Sequence, residues 1–68
     1  MKDLWTGELV GKMHVAEVTL DDLASEVGFS KGYVSVILNG IKKPTGAREK
    51  LEQGFNAIMK RRSEADGS

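Results

Sequence analysis

Twenty residues near the middle of the chain, LDDLASEVGFSKGYVSVILN from Leu20 to Asn39, constrain the fold more than any other stretch. Their apolar residues recur at spacings of three and four, which predicts two short amphipathic helices. Gly28 lies where the first of these helices should end, because glycine takes a positive φ without steric cost. Ser30 can cap the second helix, and Asn39-Gly40 can stop it. The stretch therefore predicts two helices joined by a tight turn.

The same spacing predicts which side chains of the two helices face a core. The predicted inward residues are Leu23, Ala24, Val27, Val34, Ile37 and Leu38. Phe29 should fill the corner between the helices. Ala24 should lie where they cross, because a large side chain there would hold them apart.

A further helix is predicted over residues 1–15, before this stretch. Its apolar stripe comprises Leu4, Trp5, Leu9, Val10 and Met13. Asp3 can cap its start. Gly7 and Gly11 weaken the helix; four residues apart, they can also let another helix approach, although tolerated glycines are the simpler interpretation.

The link to the next helix should be Ala16 to Val18, with Val18 pointing inward. Thr19 can then cap the helix, and Asp22 three residues later completes a weak capping box.

The last predicted helix runs from Thr45 or Gly46 to about Arg62. Its apolar stripe comprises Ala47, Leu51, Phe55, Ile58 and Met59, and should close the core against the first helix. Gly54 interrupts the stripe and can break the helix in two. Residues 60–62, Lys-Arg-Arg, suit the helix dipole in the last turn, and this interpretation is preferred to a second DNA-binding patch. We therefore predict a small all-α bundle of four to five helices over residues 1–62, followed by a disordered polar tail over 63–68.

Composition limits the class of protein. The 68 residues form one domain and include no cysteine and one histidine, His14, so a metal site is not expected. No apolar run reaches the roughly 20 residues that cross a bilayer, and no signal-peptide pattern is present. Phosphate-binding glycine patterns and catalytic constellations are also missing. We expect a cytoplasmic protein that is not an enzyme and has no cofactor, membrane contact or small-molecule substrate.

Charge is distributed unevenly along the chain. The formal net charge is zero, which counts against DNA binding because DNA phosphates favour basic surfaces. However, residues 1–27 carry two basic and six acidic side chains, whereas residues 28–50 carry five basic and one acidic. The second helix of the pair and the loop after it are therefore basic, unless this is only the fluctuation found along any surface.

The stretch from Leu20 to Gly40 resembles part of a known protein family. Ala24, Gly28, Val34 and Ile37, followed by the run Ile37-Leu38-Asn39-Gly40, resemble the helix-turn-helix of the Cro and phage-repressor family, also called XRE-like regulators. The resemblance covers about residues 13–62. It implies a lambda-repressor-like fold with the helix-turn-helix at about 20–39. It also implies sequence-specific binding of double-stranded DNA by a transcriptional regulator, in particular a repressor of phage or mobile-element type.

The resemblance also assigns roles to individual residues. The second helix of the pair would enter the major groove and read bases. The base-reading set would be Lys31, Gly32, Tyr33, Ser35 and Val36. The phosphate-contacting set would be Thr19, Ser30, Asn39, Lys42 and Lys43. Two features depart from the family: Leu20 stands where a bracing glutamine is common, and Asp21-Asp22 lie where a phosphate would approach.

Alternatives remain open at this point. The same fold can serve as a protein-interaction module, such as an anti-repressor or an antitoxin-like partner, which zero net charge, Leu20 and the acidic pair Asp21-Asp22 favour. A helical domain without a ligand is a third interpretation. Family members usually dimerise on near-palindromes with half-sites about 34 Å apart. A homodimer here would use apolar residues near Trp5 or on the last helix.

Overall fold

The computed structural model describes residues 4–66, and side chains through Ala65. Within this range the chain is all-α and forms four helices: α1 (Leu4–Ala16), α2 (Leu20–Val27), α3 (Lys31–Leu38) and α4 (Ala47–Asp66). The all-α prediction is confirmed, and α4 is not broken at Gly54. The predicted cap Asp3 lies outside the described residues.

The helix α1 buries only part of the predicted stripe, since Leu9 and Met13 are buried and Trp5 packs against the core. Thr6, Leu9 and Met13 are buried, whereas Leu4 is 87% exposed and Val10 45% exposed. The prediction that Leu4 and Val10 belong to the core stripe is therefore wrong. Both flank the buried strip of Thr6, Leu9 and Met13, whose spacing of three and four fits a single helix face. The buried Thr6 hydroxyl has a hydrogen-bond partner, because no buried side-chain polar atom of the described residues lacks one.

The helix α2 begins and ends at the predicted residues. Asp22 N–H donates to Thr19 Oγ1 and Thr19 N–H donates to Asp22 Oδ2, each at 3.1 Å, so the capping box is present. Gly28 has φ of +79° and donates its N–H to the Ala24 carbonyl at 2.9 Å. The preceding link also agrees, since Val18 is 5% exposed.

Three residues separate α2 from α3. In this turn Ser30 Oγ accepts the Tyr33 N–H at 3.1 Å, so the predicted cap of α3 is confirmed. At the other end Asn39 caps α3 and Gly40 takes φ of +77°. The predicted inward residues Leu23 and Ala24 are buried, and Phe29 packs against the core from the corner. Local capping rules therefore account for this pair of helices.

The helix α4 is longer than predicted at its end. It starts at Ala47 and continues through Asp66, so the predicted disordered tail is wrong for residues 63–66. Residues 60–62 consequently lie before the last turn and do not serve the dipole there. Arg61 forms an ion pair with Glu26, and Arg62 donates to the carbonyls of Ala16 and Glu17. These contacts fix α4 onto α2, the end of α1 and the link, and no glycine or proline lies between Gly54 and residue 67.

The core contains residues from all four helices, and the most extensive helix contact in it is between α2 and α4. α4 packs against α1, as predicted, and packs more extensively against α2. Gly54 makes this crossing close: a Cβ at this position would lie 2.4 Å from Val27 Cγ1 and 3.2 Å from Leu23 Cδ1. The apparent gap in the apolar stripe of α4 is therefore a contact point between two helices.

Candidate nucleic-acid interface

One side of α3 is left open to solvent, because Val34, Ile37 and Leu38 hold its other side in the core. The outer face of α3 consists of Lys31, Gly32, Ser35, Val36 and Asn39. Lys31, Gly32 and Asn39 are exposed, whereas Ser35 and Val36 are half-buried. Four of the five predicted base-reading residues thus share this face, at spacings of one, three and four along the helix.

Lys31 on the outer face forms an ion pair with Asp21 of α2. Its Nζ lies 3.6 Å from Asp21 Oδ2, in a pair whose side chains are 60% and 73% exposed. Such an exposed pair contributes little to stability. It does place a negative charge beside the first turn of α3, so the acidic start of α2 partly offsets the charge of Lys31.

Tyr33, the fifth predicted base-reading residue, lies to one side. Two residues along a helix do not share a face, so Tyr33 is turned away from Lys31. Its ring meets Phe29 edge-on, with centroids 5.0 Å apart at 86°. Lys42 Nζ lies 6.0 Å from the Tyr33 centroid, and Lys50 Nζ lies 5.8 Å from the Phe29 centroid. The structure therefore places Tyr33 in an aromatic–lysine cluster flanking the outer face.

The end of α3 orders the loop behind it. Asn39 Nδ2 donates to the Ser35 carbonyl at 2.8 Å and to Ser35 Oγ at 3.3 Å. The N–H groups of Ile41 and Lys42 both donate to the Val36 carbonyl, at 2.9 Å and 3.3 Å. Asn39 thus acts as a helix cap in the free protein. The folded-back loop carries the exposed Lys42 and Lys43 next to the end of the outer face.

The predicted phosphate contacts Thr19 and Ser30 both serve as helix caps. Each hydroxyl oxygen accepts a backbone N–H, and a hydroxyl that accepts still has its own O–H to donate. Thr19 differs from Ser30 in that its N–H is already bonded to the Asp22 carboxylate. A phosphate near Thr19 would therefore meet a negative charge, whereas none of the acidic side chains that the structure describes is bonded to Ser30.

Three features of this surface escaped the sequence analysis. The Asp21–Lys31 pair and the Lys50–Phe29 contact join residues ten and more positions apart, which no local pattern relates. Third, an apolar groove of about 330 Å³ runs between α1 and α3, with Leu20 and Leu38 in its wall and Ser35 and Asn39 at its rim. Leu20 packs against the core in this groove, which gives it a role other than bracing a phosphate.

The capping box predicts how stability depends on pH. The backbone hydrogen bond from Thr19, then its side-chain hydrogen bond and the charge of Arg62, hold the pKa of Asp22 below its ordinary value of 3.8. A lowered pKa in the folded state means that the stabilisation is complete above the unfolded-state pKa. It is lost as the pH falls through the folded-state pKa.

We therefore expect Asp22→Asn to destabilise the protein at neutral pH and to have progressively less effect in acid. Asparagine keeps an acceptor but removes the charge. Urea unfolding of both proteins between about pH 7 and pH 2.5 measures the difference in free energy of unfolding. A difference that stays constant over this range would contradict the assignment.

Comparison with known proteins adds no relative: no protein-family model, no curated protein and no solved structure matches the chain. In the part of the chain that the structure describes, no helix combines the length and the apolar character needed to cross a membrane. The same residues contain no group of three or more potential metal ligands from His, Cys, Asp and Glu.

Proposed function

We propose that the chain binds double-stranded DNA sequence-specifically through the outer face of α3, as a transcriptional repressor of phage or mobile-element type with a lambda-repressor-like helix-turn-helix. The observation that supports this most is the outer face itself. A short helix, capped by Ser30 and fixed by its buried side, presents Lys31, Gly32, Ser35 and Val36 beside a loop with two exposed lysines. A rigid exposed helix next to positive charge is what major-groove reading requires.

Base reading would come from the first two turns of α3. Lys31 can donate to guanine O6 and N7, and Ser35 can donate or accept. Val36 is half-buried and apolar, and suits contact with a thymine methyl group. Gly32 has open space around it, so it would let the DNA backbone or a base approach closely.

Phosphate binding would come from the two ends of α3. The Ser30 hydroxyl lies at its start, and Asn39, Lys42 and Lys43 lie at its end. These contacts would set register and affinity and carry no sequence information. Tyr33 and Lys42 lie together on one flank, where the lysine could reach a phosphate while the ring stays packed on Phe29.

The acidic start of α2 should weaken this binding. Removing one exposed charge a few ångströms from a phosphate changes the interaction by about 0.6–1 kcal/mol, so Asp21→Asn should tighten duplex binding about three- to fivefold. The Asp21 carboxylate also competes with DNA for Lys31. Fluorescence anisotropy with a labelled duplex measures the change.

A matched control for Asp21→Asn is Glu64→Gln, which removes the same charge from an exposed position near the end of α4. We expect it to change the affinity less than Asp21→Asn. Equal effects of the two variants would mean that only net charge matters and would remove Asp21 from the interface.

A second candidate function is supported by the apolar groove between α1 and α3. A protein-interaction module could bind an apolar side chain of a partner there, next to Ser35 and Asn39. Salt separates the two functions. DNA affinity through several phosphate contacts should fall by orders of magnitude between about 50 and 200 mM salt, whereas apolar protein binding should change little. Duplex binding that is absent at low salt, in a folded protein, would contradict the proposed DNA-binding function.

A further inference from the structure

The aromatic–lysine cluster joins α4 to one flank of α3. Lys50 Nζ of α4 lies 5.8 Å from the Phe29 centroid, and Lys42 Nζ of the loop lies 6.0 Å from the Tyr33 centroid. Because the two rings are in edge contact, the four side chains form one row beside α3 and the turn before it. We propose that Lys50 is a further phosphate-binding residue, and that Lys50 and Lys42 bind phosphates of the same DNA strand. This inference rests on the proposed function, in which α3 lies in the major groove.

The close crossing of α2 and α4 holds Lys50 in this position. Lys50 lies four residues before Gly54 and therefore shares its face of α4. Gly54 packs against Val27, and Phe29 follows Val27 by two residues, in the turn between α2 and α3. A lysine ammonium within about 6 Å of an aromatic centroid is attracted to the ring. Helix packing and this attraction together bring the positive charge of Lys50 to the start of α3.

The charge of Lys50 is available to a phosphate. Lys50 is exposed, and it forms no ion pair with any other residue that the structure describes. Two acidic side chains near it are engaged elsewhere. Glu26, which lines a shallow groove together with Lys50, pairs with Arg61. Glu49 turns back towards the start of α4, where its Oε2 lies 3.8 Å from the position of a Cβ on Gly46. Lys50 therefore differs from the lysine of α3 that is paired with an α2 carboxylate.

The position of the row indicates which phosphates it meets. A helix in the major groove has one DNA strand on each side of it. Tyr33 and Leu38 border the outer face of α3 on opposite sides, since they are about 140° apart around the helix. The aromatic–lysine cluster lies on the Tyr33 side, and the groove next to α1 lies on the Leu38 side. Lys42 and Lys50 should therefore meet the same strand.

The two rings order the lysines before DNA binds. A flexible side chain that becomes fixed in an interface loses conformational freedom, which lowers affinity. Contact with a ring reduces this loss, because the lysine is already partly ordered in the free protein. Phe29 is thus a positioning residue that acts through Lys50.

Fluorescence anisotropy with a labelled duplex at several salt concentrations tests the role of Lys50. Lys50→Ala should weaken binding about tenfold at moderate salt. The slope of log affinity against log salt concentration should become shallower by about one unit. Lys50→Arg keeps the charge and should restore most of the affinity. The control is Lys60→Ala, which removes the same charge from an exposed position farther along α4 and should change neither quantity.

Neutral methylphosphonates placed one at a time along each strand locate the contacts. Wild type should lose affinity at the phosphates that Lys42 and Lys50 bind, and these should lie on one strand. Lys50→Ala should become insensitive to neutralisation of one of these phosphates, and Lys42→Ala to neutralisation of another. Phe29→Leu should weaken binding less than Lys50→Ala, and should cause no further loss when the two substitutions are combined.

A folded Lys50→Ala variant with wild-type affinity and salt slope would overturn the proposal. Reduced affinity with an unchanged salt slope and unchanged sensitivity to every methylphosphonate would also overturn it, because Lys50 would then only support the turn. Contacts of Lys42 and Lys50 on different strands would contradict the shared strand. Circular dichroism checks that the variants fold. Wild type that binds no duplex would refute the proposed function and this inference with it, whereas failure of the Lys50 variants alone would refute only the inference.

Discussion

Gly54→Ala should destabilise the protein by at least about 1 kcal/mol, because the added methyl group overpacks the crossing of α2 and α4. The new Cβ would lie 2.4 Å from Val27 Cγ1. Val27 cannot easily move away, since a β-branched side chain in a helix has one strongly preferred rotamer. Alanine normally stabilises a helix interior by about 1 kcal/mol relative to glycine, so this prediction reverses the usual sign.

Thermal unfolding followed by circular dichroism measures the effect of Gly54→Ala. For a domain of this size, each 1 kcal/mol corresponds to a fall in Tm of about 4–8 °C. Gly32→Ala is the matched control, because a Cβ at Gly32 in α3 would have no neighbour within 4 Å. The control should be neutral or slightly stabilising. A Tm for Gly54→Ala equal to or above that of wild type would contradict the close crossing.

Lys42→Ala combined with Lys43→Ala should weaken duplex binding about 100-fold at moderate salt, if each lysine makes one charged phosphate contact of about 1.5 kcal/mol. The slope of log affinity against log salt concentration should become shallower by about two units. Both side chains are exposed on the loop that follows α3. Sequence preference should survive, because phosphate contacts do not distinguish bases.

The control for the two lysines is Lys60→Ala, to be compared with each single variant. Lys60 is exposed and lies 13 residues, about 20 Å, along α4 from its first residue. The Lys60→Ala variant removes one positive charge far from the loop. It should leave the slope of log affinity against log salt concentration unchanged. A double variant with unaltered affinity and slope would place the phosphate contacts elsewhere.

Features set by short-range rules could be predicted from the sequence. The caps at Thr19 and Ser30 and the left-handed Gly28 depend on hydrogen bonds between residues three to five positions apart. The identity of the neighbouring residues decides such bonds, whatever the rest of the chain does. The position of α3 and most of its outer face follow from the same rules.

Features that depend on contacts distant in sequence could not be predicted. From the sequence alone, Gly54 predicts a weak point in α4. In the structure, Val27, which is 27 residues earlier, packs against Gly54. The end of α4 depends on Arg61 and Arg62, whose partners lie on α2, at the end of α1 and in the link. The predicted stripe of α1 is wrong at Leu4 and Val10, because an apolar side chain favours burial only where another part of the chain covers it.

Selection from a pool of random duplexes at moderate salt tests the central claim most directly. Wild type, Lys31→Ala and Ser35→Ala are run side by side, with folding checked by circular dichroism. We expect wild type to enrich a short sequence and both variants to lose preference at defined positions within it. Two copies of that sequence in inverted order would indicate that two protein chains bind one duplex. Folded wild-type protein that enriches no sequence would contradict specific DNA reading by the outer face of α3.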